Sequence, residues 1–128
     1  LEIKKYLDEK GIEYKDYGCD SLASVDYPVY AKKVAGEIFS GECEQGILIC
    51  GTGIGMSMAA NKIKGIRAAL CGDCFSAQMT KEHNNANVLC LGARVIGSEL
   101  AFRIADTFID SKFSNDERHI RRINMLEQ

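Results

Sequence analysis

A cysteine at the mouth of a glycine turn is the feature of this chain best placed to do chemistry. Gly46-Ile47-Leu48-Ile49-Cys50 reads as a short apolar strand. Gly51, Gly53 and Gly55 then recur at every second position, with Thr52 and Ile54 between them, and a helix follows through Met58, Ala59, Ala60 and Asn61. Such a junction points several backbone N–H groups, and the positive end of a helix dipole, at one small volume. An anion belongs there, either a phosphate or an oxygen that gains charge during a reaction. A helix N-terminus also favours a thiolate, so Cys50 could act as a base or nucleophile. The plainer alternative is a small apolar residue finishing a buried strand. Thr52 adds a hydroxyl. The loop lacks the Gly-Lys-Ser/Thr of a P-loop, and its glycines are too closely spaced for a dinucleotide fingerprint.

Two further groups carry chemistry. His83 sits in Lys81-Glu82-His83-Asn84-Asn85-Ala86-Asn87, which reads as a polar turn between a helix and a strand. Asn side chains in such a turn can hold a sugar's hydroxyls or fix a histidine tautomer. Arg118-His119-Ile120-Arg121-Arg122 is the densest basic cluster. On a helix, Arg118, Arg121 and Arg122 share one side. With Arg94 they could grip a phosphate through several guanidinium groups, or they could form an ordinary solvated face.

The elements that must position these groups alternate. Helix is expected over 2–10, with Gly11 as its stop, and strand over 12–17. Pro28 opens a second helix that Gly41 ends. Strand 46–50 leads through the loop to helix 55–62. Strand 66–71, helix 74–82, strand 88–91, the amphipathic helix 97–110 and a last helix from about 116 complete the chain. Alternating strand and helix is the pattern of a parallel sheet with helices on both faces, a three-layer α/β/α arrangement. Ligands bind such sheets beyond the carboxyl ends of the strands. Cys50, Asp73 and Arg94 all fall there. A chain opening with a helix also leaves a first strand expected ahead of Leu1.

Composition narrows the classes. The 128 residues suit a single domain, 1–128, that is 46% hydrophobic and 27% charged. A net charge of −2 argues against broad nucleic-acid or anionic-membrane binding. No apolar run approaches the length of a membrane-spanning helix, and the cysteines, read as reduced, make a cytoplasmic protein the expectation. The six cysteines are read as reduced, because Cys50, Cys71 and Cys90 lie in or beside apolar strand-like runs. Cys71-Gly-Asp-Cys74 has half-zinc spacing, but no second pair completes a metal site.

Taken together, the sequence resembles the B-type ribose-5-phosphate isomerase family and its galactose- and allose-6-phosphate isomerase relatives. The matching stretches are Asp26-Tyr27-Pro28, residues 46–62, Gly65-Ile66-Arg67-Ala68, His83-Asn84 with Asn87-Val88, Gly92-Ala93-Arg94-Val95-Ile96-Gly97, and Arg118-His119 with Arg122. The resemblance implies a Rossmann-like α/β fold and an aldose–ketose isomerase that needs neither metal nor cofactor. It implies Cys50 as the base between C1 and C2, and Thr52 with the amides of Gly51, Gly53, Ile54 and Gly55 around the enediolate. His83 would open the sugar ring, and Asn84, Arg94, Arg118 and Arg122 would bind substrate and phosphate. Family members form homodimers, in some cases dimers of dimers, with active sites shared across the interface. The family's first strand ends in an Asp-His pair that this sequence does not show. Ribose 5-phosphate is the expected substrate. A hexose 6-phosphate, or a binding module without catalysis, is the alternative.

Overall fold

The computed structural model describes residues 7–9, 11 and 27–128. Leu7–Glu9 are helical and Gly11 closes that turn with a φ of +71°. The strand expected over 12–17, and the rest of the expected first helix, lie outside the described residues. The elements that follow are α1 (Tyr27–Phe39), β1 (Gly46–Cys50), α2 (Ile54–Asn61), β2 (Ala68–Leu70), α3 (Cys74–Asn84), β3 (Val88–Gly92), α4 (Ser98–Asp110) and α5 (Glu117–Leu126).

The described sheet is parallel with strand order β1-β3-β2. Central β3 is buried at every position, as a strand covered on both faces must be. Its side chains alternate between two cores. Val88 and Cys90, with Leu48 of β1, meet Ala31 and Ala35 of α1 and Met56 and Ala60 of α2. Leu89 and Leu91 meet Ala77 of α3 and Ile104, Ala105 and Phe108 of α4. Helices therefore cover both faces, and the three-layer α/β/α architecture expected from the alternation is the observed one. Small residues at helical spacing let α1 approach the sheet closely, while Phe108, wholly buried, fills the opposite side.

Two local differences bear on function. Strand 66–71 shortens to Ala68–Leu70 because the backbone before it is turned to other partners. Ile66 N–H bonds Ile63 O at 3.0 Å, and Arg67 N–H donates to Asn87 Oδ1 at 2.8 Å. Helix α3 runs on to Asn84 and ends at Asn85, which takes a left-handed conformation with φ 45°. His83 thus belongs to the last turn of a helix, not to a loop. That turn is anchored by the buried Lys81, whose Nζ donates to Phe108 O at 2.9 Å and to Gln45 Oε1. Burial pushes the Lys81 amine below its ordinary pKa.

Candidate active site

The glycine loop is shaped around Cys50 and the start of α2. Gly53 has φ +81°, and a Cβ there would lie 2.5 Å from Leu70 Cδ1 and 3.0 Å from the Leu91 backbone. Only glycine fits without the neighbours moving. In this conformation Gly53 N–H donates to Cys50 Sγ at 3.1 Å, and Ile54 N–H donates to Thr52 Oγ1 at 3.2 Å. Gly53, at the N-cap, supplies no side chain, so beyond the Ile54 N–H that Thr52 takes, the first-turn amides of α2, including that of Gly55, have no side-chain cap. Cys50 is half-buried and Thr52 is exposed.

The exit of β3 closes this site from beside. Ala93 N–H bonds Cys50 O at 2.8 Å, and Arg94 N–H bonds Gly51 O at 2.9 Å. A Cβ on Gly51 would lie 3.5 Å from Arg94 Cδ, so the Arg94 side chain runs along the loop. Gly92 was not singled out as a site residue, yet a Cβ there would sit 2.5 Å from Thr52 O. The signals for it are a glycine at a strand end and its place at the start of the matching stretch from Gly92 to Gly97.

Two further cysteines, Cys71 and Cys90, are buried away from this chemistry. Burial, then Asp73, pushes the Cys71 thiol up to about 11. Burial, then Cys50 and Cys71, pushes Cys90 up to about 12. Among the described residues no group of three His, Cys, Asp or Glu could hold a metal ion.

A second cluster forms where α3 ends and α5 begins. His83 is exposed, and its ring centroid lies 4.3 Å from that of His119 at an interplanar angle of 31°. His119 is buried, with Nδ1 2.8 Å from Ser114 Oγ. Burial first, then His83 and Arg118, holds its pKa below the ordinary value. Arg118 and Arg122 are exposed on the same helix. Asp116 caps it by accepting Arg118 N–H at 2.9 Å, a bond that keeps the Asp116 carboxyl below its usual range. Of the asparagines around His83, Asn87 is committed elsewhere. It accepts Arg67 N–H and donates Nδ2 to Gly65 O at 2.9 Å. Asn85 shapes the helix end through its backbone, and Asn84 is exposed beside His83.

These two clusters do not meet within one chain. Cys50, Thr52 and Arg94 lie at the carboxyl ends of the strands. Helix α3 runs back from β2 to the start of β3, so His83 and α5 lie at the amino ends, with the length of β3, roughly 13 Å, between the two edges. The expected grip of Arg94 with Arg118, Arg121 and Arg122 is therefore not formed within the chain. Spacing put Arg94 after a strand and the other three on one side of a helix, but holds no record of which edge of the sheet that helix reaches. A cavity of about 650 Å³ at the amino edge is lined by Lys62, Lys64, Arg67, Asn84 and Glu127, away from Cys50.

A parallel sheet with a glycine loop and a thiol at a helix N-terminus defines an α/β protein with donors suited to an anion, and comparison with known proteins narrows the class. Residues 1–126 match the Ribose/Galactose Isomerase family, and the chain belongs to it. It is a sugar-phosphate isomerase of that family. A ribose 5-phosphate isomerase of Thermotoga maritima superposes with a TM-score of 0.95 at 54% identity, over 98% of this chain and 86% of that one. Ribose-5-phosphate isomerase B of Escherichia coli (strain K12) is 46% identical over 98% of this chain and 83% of its own length. Galactose-6-phosphate isomerase subunit LacB of Clostridium acetobutylicum is 42% identical over 100% of this chain and 74% of its own. Among the described residues no helix is long and apolar enough to cross a membrane.

Proposed function

We propose that this protein interconverts ribose 5-phosphate and ribulose 5-phosphate through an enediolate. The observation that carries the reading is the Gly53 N–H aimed at Cys50 Sγ at 3.1 Å. A donor so placed stabilises negative charge on sulfur, and a thiolate can then take the C2 proton and return it to C1. As the proton leaves, charge builds on the carbonyl oxygen. The first-turn amides of α2 offset that charge, and each such donor typically lowers the barrier by about 3 kcal/mol. Thr52 accepts from Ile54, so its own hydroxyl proton is free for the same oxygen. His83 opens the furanose ring. Asn84, Arg94, Arg118 and Arg122 hold the sugar and its phosphate, whose binding energy orients the reacting carbons.

The working unit in this reading is a homodimer. Cys50 lies at one edge of the sheet and His83 with the arginines of α5 at the other, so a second copy is needed to complete each site. The exposed apolar Ile120, Met125 and Leu126 of α5, at 40%, 63% and 67% exposure, supply surface for that contact. The likeness to a galactose-6-phosphate isomerase subunit keeps a hexose 6-phosphate as the second reading. The test is isomerase activity of Cys50→Ala on ribose 5-phosphate. Turnover should fall at least about 100-fold with substrate binding retained. Turnover like wild type removes Cys50 as the base. Wild-type preference for allose or galactose 6-phosphate replaces the pentose.

A further inference from the structure

We infer that His119 is a positioning residue for His83, holding its imidazole by ring stacking from a buried, hydrogen-bonded site. The inference rests on the reading of His83 as the ring-opening group.

His83 is exposed in the last turn of α3, where an unsupported imidazole would sample several rotamers. Four features remove that freedom. The His119 ring lies 4.3 Å away, tilted by 31°, and covers one face of His83. His119 itself is 6% exposed and bonded through Nδ1 to Ser114 Oγ at 2.8 Å. Ser114 Oγ also accepts Asp116 N–H at 3.2 Å, so its own proton is available to Nδ1. Ser114 N–H bonds Glu82 O at 3.1 Å, which ties the segment before α5 to the residue preceding His83. The stack is thus in register with the helix that carries His83.

Charge favours the same arrangement. Facing His119 are His83 from α3, and Arg118, Arg122 and Asp116 from its own segment. Burial and three of these four disfavour its cation, which favours the neutral ring as the platform. Direct contact with the sugar is not required. His119 would act through His83.

The test separates the ring from the hydrogen bond. His119→Gln keeps a polar partner for Ser114 and loses the ring. His119→Phe keeps the ring and loses the partner, and the exposed Ser114 can turn to water. Two reactions are compared: isomerisation of ribose 5-phosphate, which needs ring opening, and solvent deuterium exchange at C1 of ribulose 5-phosphate. That ketose is acyclic because its O5 carries the phosphate. His83→Ala and His119→Gln should each lower kcat on ribose 5-phosphate about 10-fold or more, with KM little changed and exchange within about 3-fold of wild type. His119→Phe should keep both rates. The ¹⁵N shifts of the His83 imidazole should move in the Gln variant and hold in the Phe variant. Selective loss in His83→Ala with unchanged kinetics and ¹⁵N shifts in folded His119→Gln overturns the inference alone. Equal losses for the Phe and Gln variants overturn the stack as the cause. Equal loss of both reactions in His83→Ala instead overturns the ring-opening reading beneath it.

Discussion

Gly53 donates its backbone N–H to the Cys50 sulfur at 3.1 Å, across a turn whose φ of +81° and crowding by Leu70 and Leu91 leave no room for a side chain. Gly53→Ala is therefore expected to turn the amide away from sulfur and to lower kcat at least about 10-fold. A left-handed non-glycine residue also costs about 1–2 kcal/mol in stability. At Gly51 an added methyl meets only Arg94 Cδ at 3.5 Å, ordinary contact. Gly51→Ala should fold like wild type. Steady-state kinetics with chemical denaturation of both variants checks the contrast.

The separation of Cys50 and His83 on opposite edges makes a prediction about mixtures. Cys50→Ala and His83→Ala homodimers should each be nearly inactive. Refolded together, half the dimers formed at random contain one chain of each, with one intact and one doubly altered site. Activity should return to about a quarter of wild type. No recovery from a mixture proven to contain heterodimers would place all groups of a site within one chain. A monomer by light scattering at micromolar concentration would do the same.

Arg118 and Arg122 lie one helical turn apart and both are exposed. If they bind the phosphate, Arg122→Ala should raise KM by roughly 10-fold, the loss of one charged hydrogen bond. Lysine should rescue only in part, because it keeps the charge and loses the planar fork. Inorganic phosphate should inhibit the wild type more strongly than the Ala variant. Equal inhibition would return the cluster to a solvated face.

Glu127 ties the end of α5 to the loop before β2. Its carboxylate accepts Arg67 Nη1 at 2.9 Å and Gly65 N–H at 3.0 Å. The Arg67 hydrogen bond leads the causes that hold its pKa below the ordinary 4.5. The native state then binds fewer protons than the unfolded one near that value, so stability rises with pH through this window. The contribution is present above about pH 4.5 and is lost as pH falls through the lowered value. Glu127→Gln should cost about 1 kcal/mol at pH 7, and the difference from wild type should shrink as the pH falls below 4.5. Urea denaturation across that range measures it.

Much that depends on neighbours in the chain was legible in the sequence alone, although the end of α3 beside His83 and the start of β2 were not. Strand–loop–helix order, the cysteine at the mouth of the glycine turn and the apolar stripes of α1 and α4 are written in local spacing, because hydrogen-bond geometry repeats over a few residues. The resemblance to sugar-phosphate isomerases rested on motifs of the same kind. What only the tertiary structure decided is where distant segments meet. Asn87 looked free beside His83 but is taken by Gly65 and Arg67 across the start of β2. Arg94 looked like a partner for Arg118 and Arg122 but lies along Gly51, because α3 runs back across the sheet and carries the α5 cluster to the far edge. His119 gave no sign of burial, since its place in a run of basic helical residues says nothing of what packs over it. These outcomes are set by packing between elements separated by up to 62 residues, for which spacing along the chain holds no record.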